Sequence, residues 1–375
     1  MKAHIVVGSN FGDEGKGKCV DFLTSFLENS IVVRANGGSQ VGHTVVANGN
    51  RHVFHHFGSG HYNNVPTYFS KHFITNPIIF LKEFIELGYH KCFVNSNSIV
   101  TTPYDMMLNQ AQEFSRTNRH GSCGMGIHET ILRSEKPNYK ITVDDLKKDF
   151  KDRFVYLIEE YYIPEFEKRN LEMFPHDMNG MIENFTQDCL GFLNHVEIVE
   201  DDILKNFDNV VFENGQGLLL DQDHYFFPHV THSKTGVKNP SEILKGLDIF
   251  AADVYYCTRP YFTRHGAGPL PNEVSGKLFD SIVDETNIPN EFQGTLRFAP
   301  FDLNLLKETI ENDLRTETSM NFKKNVFVSC LDQIPNGEVF LKTLSEKIEI
   351  NELFYSIGPD RIHNRKVERI LENDV

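Results

Sequence analysis

The sequence predicts an α/β protein with a central, mostly parallel β-sheet flanked by helices, and three observations near the N-terminus predict it. Residues 4–7 form an apolar run that ends at Gly8, as a buried strand does, and a P-loop-like glycine loop follows. Apolar residues then recur at helical spacing over residues 19–27. A second strand-like run covers residues 31–33. A strand, a loop, a helix and a strand in this order are typical of a parallel sheet.

The same alternation continues along the chain, with one interruption. Residues 142–206 lack glycine-rich loops, and Thr142 is a candidate N-cap. We therefore predict a mostly helical insertion there, within one domain that covers residues 1–375. The other predicted elements are helices over 77–87 and 103–114 and strands over 92–94 and 209–212.

Composition excludes several classes of protein. With 375 residues, 40% of them apolar, the chain can bury a large core. The net charge of −15 argues against nucleic acid or an anionic membrane as the main partner, since both bind clustered Lys and Arg. The six cysteines are scattered without a CxxC pair, and no apolar run is long enough to cross a membrane. A cytoplasmic protein is expected.

The first glycine loop, residues 12–18, reads GDEGKGK and lies between a predicted strand and a predicted helix. Backbone N–H groups at the start of a helix favour phosphate. The spacing fits the phosphate-binding P-loop pattern, but Cys19 stands where that pattern requires a magnesium-binding Ser or Thr. The segment alone therefore leaves two interpretations open, a phosphate loop and a glycine turn with solvated charges.

A second glycine loop, residues 34–44, reads RANGGSQVGHT and contains a titratable imidazole. A histidine can donate a hydrogen bond to a phosphoryl oxygen, and a nearby carboxylate can take a proton or hold Mg²⁺. Asp13 and His43 would form such a pair if the two loops converge. A structural role for His43 stays open, because sequence spacing does not establish geometry. For His52, His55 and His56, alternation along a predicted strand favours structural or substrate-lining roles over a metal cluster.

Six segments in order resemble the adenylosuccinate synthetase family. The two glycine loops resemble its first two signatures. Residues 212–217, FENGQG, followed by LLD, resemble its EGAQG segment, and residues 228–233, PHVTHS, resemble its YPYVTSS. Residues 263–271, TRHGAGPLP, and residues 356–360, SIGPD, resemble its TRVGAGPFP and its terminal STGPD.

This resemblance implies a ligase that phosphorylates the 6-oxygen of a purine monophosphate and replaces it with the amino group of L-aspartate. It implies that Asp13 accepts the N1 proton of the purine and, with the Gly42 carbonyl, binds Mg²⁺. His43 would stabilise the phosphoryl group in transfer. It also implies a homodimer, in which Arg133 would reach the monophosphate of the partner subunit.

The remaining implied ligands fall into three groups. Predicted to bind the nucleoside triphosphate are Gly12, Glu14, Gly15, Lys16, Gly17, Lys18, Asp332, Ser356, Gly358 and Pro359. Predicted to bind the purine monophosphate, besides Arg133, are Asn36, Gln40, Ser122, Cys123, Gln216 and Thr231. Predicted to bind aspartate are Thr295 and Arg297, whose guanidinium suits a carboxylate.

Departures from the family pattern leave the substrates open. The family's guanine-reading TKLD is here Ser329-Cys330-Leu331-Asp332, without the lysine, so GTP and an adenine donor, ATP or dATP, both stay candidates. The aspartate loop is shorter and has lost most of its arginines. Viral relatives that use dGMP and ATP to make the 2-amino product are an alternative, although Asp13 suits the N1 of hypoxanthine in IMP. Two other classes also stay open, an inactive nucleotide-binding relative and an unrelated P-loop GTPase.

Overall fold

The computed structural model describes residues 1–116, 123–148, 150–173, 177–284 and 295–367. These residues form fourteen strands and ten α-helices. The strands are β1 Lys2–Gly8, β2 Ser30–Arg34, β3 His43–Ala47, β4 Asn50–Phe54, β5 Thr67–Phe69, β6 Cys92–Asn95, β7 Val196–Val199, β8 Asn209–Glu213, β9 Ala251–Thr258, β10 Tyr261–Arg264, β11 Arg297–Pro300, β12 Asn321–Val328, β13 Glu352–Ser356 and β14 Asn364–Lys366. The helices are α1 Lys16–Thr24, α2 Pro77–Leu87, α3 Pro103–Ser115, α4 Ile127–Ser134, α5 Phe150–Leu157, α6 Ile163–Lys168, α7 Met178–Leu193, α8 Lys238–Gly246, α9 Leu303–Arg315 and α10 Gly337–Lys347.

A ten-stranded sheet organises the molecule, in the order β14-β13-β12-β9-β1-β8-β2-β5-β6-β7. Neighbouring strands pair in parallel except β13 and β14. The predicted mostly parallel α/β fold is confirmed. Strands β1, β2, β8 and β9 are buried on both faces, so their apolar runs are nearly continuous. The carboxyl ends of these parallel strands meet at one edge of the sheet, where such folds bind ligands.

Most predicted elements are present, and the insertion needs a correction. The described residues between 142 and 193 are mainly helical, but β7 pairs in parallel with β6 and extends the sheet. Thr142 is not the predicted N-cap: a short 3₁₀ helix, Asp144–Lys147, follows it with Val143 at the N-cap position, and the N–H and hydroxyl of Thr142 both donate to the Asp145 carboxylate, at 2.8 and 2.9 Å. The first long helix of the insertion begins at Phe150. No helix among the described residues is both long enough and apolar enough to span a membrane.

His56 lies in the aromatic core on the α2 side of the sheet, just after β4 ends. Its ring packs edge-on against Phe69, Phe73 and Phe80. Its Nε2 accepts a hydrogen bond of 3.0 Å from the backbone N–H of Asn76. Protonation would remove that acceptor, and burial lowers the pKa of His56 to about 3. The ring is therefore a neutral structural element near neutral pH.

The burial of His56 predicts that this residue makes the free energy of unfolding depend on pH in the acid range. The unfolded ring takes up a proton below about pH 6.5 while the folded ring does not, so its stabilisation is complete above pH 6.5 and is lost as the pH falls toward 3. The loss amounts to about 1.4 kcal/mol per pH unit. Urea unfolding between pH 6 and 4 measures this effect. The free energy of unfolding of His56→Gln should fall less steeply with decreasing pH than that of the parent chain, by about that slope. Equal slopes would contradict a buried neutral His56.

Candidate active site

The first glycine loop joins β1 to α1 and is organised from within by two charged side chains. Glu14 Oε1 accepts the N–H groups of Asn10 and Gly12 at 3.1 and 2.7 Å. Lys16 Nζ donates to the Gly12 carbonyl at 2.8 Å and lies 3.4 Å from Glu14 Oε2. Both side chains are buried. In this structure Glu14 and Lys16 therefore shape the loop, and their predicted contact with the triphosphate stays a prediction.

The two glycine loops converge at the first turn of α1. A Cβ atom on Gly17 would lie 2.9 Å from the Cβ of His43 and 2.9 Å from the hydroxyl of Ser59. No side chain fits at position 17, and the start of β3 therefore lies directly against α1. The two loops therefore meet at Gly17 and His43, and the cooperation of Asp13 with His43 stays a prediction.

His43 belongs to a buried network that centres on Glu213 at the end of β8. The imidazole Nδ1 lies 2.7 Å from Glu213 Oε1, and Arg34 Nη1 donates to Oε2 at 3.2 Å. Ser59 adds its backbone N–H at 3.0 Å and a short bond from its hydroxyl. All four side chains lie at the carboxyl edge of the sheet or beside it. The network fixes the position of the imidazole ring.

The charge states follow from this burial. Burial alone would raise the pKa of Glu213, but His43 and Arg34 hold it at about 2, so the carboxylate is ionised. Burial lowers the pKa of His43 to about 4, although Glu213 opposes that shift. The ring is therefore neutral in this structure, with the Nδ1 proton donated to Glu213. Its Nε2 is buried and has no hydrogen-bond partner among the described residues.

Two glutamines add further unpaired polar atoms. Both amide atoms of Gln40 and the Oε1 of Gln216 are buried without a partner in the described part of the chain. A Cβ on Gly37 would lie 3.3 Å from Gln216 Oε1 and 3.4 Å from Gln40 Nε2, so the two amides flank one glycine. Unpaired buried amides are costly, and a polar ligand between them would satisfy them. Gln216 also has a positive φ of 54°, a strained conformation that is common at functional sites.

The other predicted monophosphate ligands differ in how far they are buried and bonded to other residues of the chain. Asn36 donates to the Gly215 carbonyl and the Ser233 hydroxyl and accepts the Gly215 N–H at 2.7 Å, so it ties two loops together. Thr231 is half-buried, and its backbone N–H donates to the Leu220 carbonyl at 2.8 Å. Cys123 is half-buried, and burial raises the pKa of its thiol. Ser122 lies outside the described residues.

Asp13 and Gly42 are the residues present for Mg²⁺. Asp13 is partly exposed, and its Oδ2 lies 3.5 Å from the Nε2 of His265. Gly42 is exposed between the buried residues Val41 and His43. The described residues contain no group of three His, Cys, Asp or Glu side chains that could hold a metal ion. One carboxylate and one carbonyl fit Mg²⁺, which commonly takes its remaining ligands from substrate phosphates and water.

The predicted donor-base segments lie against the first loop. Lys18 Nζ donates to the Ser356 hydroxyl at 3.1 Å and to the Gly358 carbonyl at 2.6 Å. The Ser329 hydroxyl donates to the Glu14 carbonyl at 3.1 Å. Asp332 and Pro359 are exposed near these contacts. The segments 329–332 and 356–359 therefore border the loop at the carboxyl ends of the neighbouring parallel strands β12 and β13.

Arg297 already holds a carboxylate in this structure. Its Nε donates to Glu273 Oε1 at 2.8 Å, and its Nη2 bonds to the other carboxylate oxygen. Its Nη1 donates to the carbonyls of Gly266 and Gly268 at 3.0 and 2.9 Å. The geometry is the bidentate form that a guanidinium makes with a carboxylate, and the predicted contact of Arg297 with aspartate stays a prediction. Thr295 is exposed two residues away.

The role predicted for Arg133 does not fit the structure. The side chain is completely buried and bonds bidentately to Asp105, at 3.1 and 3.0 Å. It also donates to the carbonyls of Val100 and Tyr139, both at 2.7 Å. A guanidinium so enclosed in its own subunit cannot reach a partner's monophosphate. Arg133 is a structural residue of the α3–α4 region.

Comparison with known proteins agrees with these observations. A family model described as adenylosuccinate synthetase matches residues 5–361. The adenylosuccinate synthetase of Desulfotalea psychrophila is 30% identical over 317 residues, which cover 79% of this chain and 69% of the relative. That of Prochlorococcus marinus is 33% identical over 298 residues, which cover 75% of this chain and 66% of the relative. The matched regions thus span about two thirds of the length of these relatives.

Two solved structures share the fold at low sequence identity. A fully ligated adenylosuccinate synthetase from Plasmodium falciparum superposes with a TM-score of 0.81 and 17% identity, over 98% of this chain and 100% of that one. The cyanophage S-2L succinoaminodeoxyadenylate synthetase, bound to dGMP and to dATP as an energy donor, gives a TM-score of 0.69 and 15% identity, over 97% of this chain and 95% of that one.

These matches place the protein among the purine nucleotide ligases, enzymes that form a carbon–nitrogen bond. Within that class, the chain belongs to the adenylosuccinate synthetase family. The resemblance drawn from the six segments is confirmed. Several residues of the site were not predicted from sequence, namely Arg34, Ser59, Glu213 and His265.

Proposed function

We propose that the protein uses a nucleoside triphosphate to phosphorylate the 6-oxygen of a purine monophosphate and then forms a bond between C6 and the nitrogen of L-aspartate. The product is adenylosuccinate or its 2-amino analogue. One observation carries the proposal: the fixed His43 ring has a buried, unpaired Nε2 beside a phosphate-type loop. We treat the chain as one functional unit with its helical insertion.

In the first step the chain's groups act on both reacting partners. The Asp13 carboxylate takes the N1 proton of the purine, which places negative charge on the 6-oxygen and makes it nucleophilic. The γ-phosphoryl group moves from the donor to this oxygen. The amides of Gly15 and Gly17 and the Lys18 ammonium stabilise the phosphates at the start of α1.

His43 changes its protonation as the phosphates bind. The dianionic phosphate favours a proton on Nε2, and Glu213 stabilises the resulting imidazolium through Nδ1. The imidazolium then donates a hydrogen bond to the phosphoryl oxygen as charge develops on it. Mg²⁺, held by Asp13 and the Gly42 carbonyl, would supply positive charge that neutralises the donor phosphates when it is bound.

In the second step the aspartate amine attacks C6, and the 6-oxygen leaves as part of inorganic phosphate. The bond from C6 to oxygen breaks as the bond from C6 to nitrogen forms, and the amine gives up one proton to the departing phosphate. Arg297 orients aspartate by binding one of its carboxylates in place of Glu273. The protein forms no covalent bond with substrate.

The identities of the acceptor base and the donor base are a matter for measurement. Gln40, Gln216, Thr231 and Asn36 bind the acceptor, together with Cys123. The donor side lacks the lysine of TKLD at Cys330, which supports an adenine donor. The cyanophage enzyme of similar fold is bound to dGMP and dATP, which supports the dGMP alternative. A homodimer and a cytoplasmic location rest on the resemblance and the composition.

A phosphate-release assay with Mg²⁺ and aspartate would separate these alternatives. IMP, GMP and dGMP would be crossed with GTP, ATP and dATP, and the product mass would be determined. Release with IMP would give an adenylosuccinate synthetase, whereas release only with dGMP and an adenine donor would give the 2-amino enzyme. Phosphate release that needs neither acceptor nor aspartate would indicate a GTPase-like activity, and silence in every pair would contradict the ligase proposal.

Replacing His43 with Asn should lower kcat by about 10²-fold, the usual cost of removing one hydrogen bond to a developing oxyanion. The KM values should change little, because the lost contact strengthens only in the transition state. Steady-state kinetics at saturating substrate would measure the effect. The control is His195→Asn. His195 stacks on Phe84 and directly precedes the edge strand β7, so it has no part in the proposed site. An unchanged kcat in His43→Asn would remove His43 from the mechanism.

A further inference from the structure

Arg259 lies at the junction of the phosphate loop and the donor-base segment. It directly follows β9, which lies between β1 and β12 in the sheet. The preceding residue, Thr258, is hydrogen-bonded to the segments that follow β1 and β12. Its hydroxyl accepts the Asn10 side-chain amide at 3.0 Å, and its carbonyl accepts the Ser329 N–H at 2.8 Å. These bonds hold Arg259 between loop 8–15 and segment 329–332.

The guanidinium of Arg259 is largely enclosed but incompletely bonded. Its side chain is 12% exposed, and Nη1 lies 3.3 Å from Asp284 Oδ2, a single contact rather than a bidentate pair. Its Nε is buried without a partner among the described residues. The Tyr261 ring lies beside it, 5.9 Å from the guanidinium carbon. Burial lowers its pKa, but Cys330, Tyr261, Asp13 and Asp284 outweigh that effect and raise it.

The two lysines of the loop are already bonded to other groups of the chain. Lys16 is turned inward to Gly12 and Glu14, and Lys18 binds Ser356 and Gly358. A nucleoside triphosphate carries several negative charges, and a chain of net charge −15 must meet them with local cations. A planar guanidinium is suited to binding two phosphate oxygens at once.

We propose that Arg259 binds the phosphates of the nucleoside triphosphate donor, across the gap between the phosphate loop and residues 329–332. This inference rests on the proposed function for the identity of the ligand as a donor. Asp284 holds the guanidinium until the donor binds. Arg259 then supplies a cation beside Cys330, which replaces the lysine of the family's TKLD segment.

The test compares two substitutions that break the same ion pair. Arg259→Gln removes the cation, whereas Asp284→Asn removes only its partner. ATP and GTP, each with Mg²⁺, would be titrated calorimetrically into each protein without acceptor or aspartate. For the triphosphate that the parent chain binds, Arg259→Gln should raise Kd about 10- to 100-fold. The Kd of Arg259→Lys should lie between those of the parent chain and Arg259→Gln. Asp284→Asn should bind the triphosphate as tightly as the parent chain or more tightly.

Several results would overturn the inference. Equal losses of affinity in Arg259→Gln and Asp284→Asn would show that the pair only shapes the site, and unchanged affinity in Arg259→Gln would show that the cation does not meet phosphate. A parent chain that binds neither ATP nor GTP would also overturn it. Thermal unfolding of each variant controls for folding, and Arg315→Gln, at an exposed arginine paired with Glu311, controls for charge. If the parent binds a triphosphate but forms no product, the proposed function fails and the inference about Arg259 stands.

Discussion

Asp13→Asn is expected to lower kcat by about 10²- to 10⁴-fold, the range for loss of a general base. Asparagine keeps the shape of the side chain but cannot take the N1 proton, so the 6-oxygen stays a poor nucleophile. It also removes a charge that would hold Mg²⁺ beside the donor phosphates. Steady-state kinetics with the acceptor and donor that support turnover would measure the loss.

The effect of Asp13→Asn must be separated from a general effect of charge. Asp202→Asn, at an exposed carboxylate paired with Lys205 on the insertion side, should keep activity within about twofold. Thermal unfolding should show little difference between Asp13→Asn and the parent chain, because Asp13 is partly exposed. A kcat within a few-fold of the parent's would mean that another group accepts the N1 proton.

Glu213→Gln is expected to lower both the free energy of unfolding and kcat. Removing one partner of a buried ion pair typically costs about 3–5 kcal/mol, and here it leaves Arg34 buried without its carboxylate. A neutral amide also cannot stabilise the imidazolium form of His43 or hold its Nδ1 proton in place. Urea unfolding measures the first effect, and kinetics under conditions that keep the variant folded measure the second.

Glu83→Gln provides a matched control for Glu213→Gln. Glu83 on α2 is also buried, and it accepts the backbone N–H groups of His55, His56 and Phe57 at 2.7–3.1 Å. It has no part in the proposed chemistry. Its loss should therefore destabilise the fold while the folded enzyme keeps its kcat. If folded Glu213→Gln also keeps the parent's kcat, Glu213 is a structural residue and not a positioning residue for His43.

Local signals were sufficient to predict most of the fold. The helix α2 begins and ends where the sequence predicts, because Asn76 caps it, Pro77 occupies its first turn and Gly88 follows its end with a positive φ of 81°. The strand β7 was not predicted, because its sequence lacks such local signals. Its four residues lie at the edge of the sheet and are mostly half-buried, so they show neither a buried run nor a clear alternation.

The site could be predicted only in part, because its chemistry depends on contacts between distant residues. The motifs identified the loops that hold Asp13 and His43. They did not show that His43 is fixed by Glu213, which is 170 residues away in the chain. Nor did they show that Arg133 pairs with Asp105, since a guanidinium on an amphipathic helix suits a buried ion pair as well as an interface. Sequence spacing carries no information about such pairing.

The most direct test of the proposed chemistry follows the 6-oxygen of the acceptor. A purine monophosphate labelled with ¹⁸O at position 6 would be incubated with the protein, the triphosphate donor, Mg²⁺ and aspartate, and the released phosphate would be analysed by mass spectrometry. Phosphorylation at the 6-oxygen followed by displacement predicts one ¹⁸O atom in each phosphate that accompanies product. Unlabelled phosphate released alongside product would contradict the account, since it would mean that the donor is hydrolysed without a 6-phosphoryl intermediate.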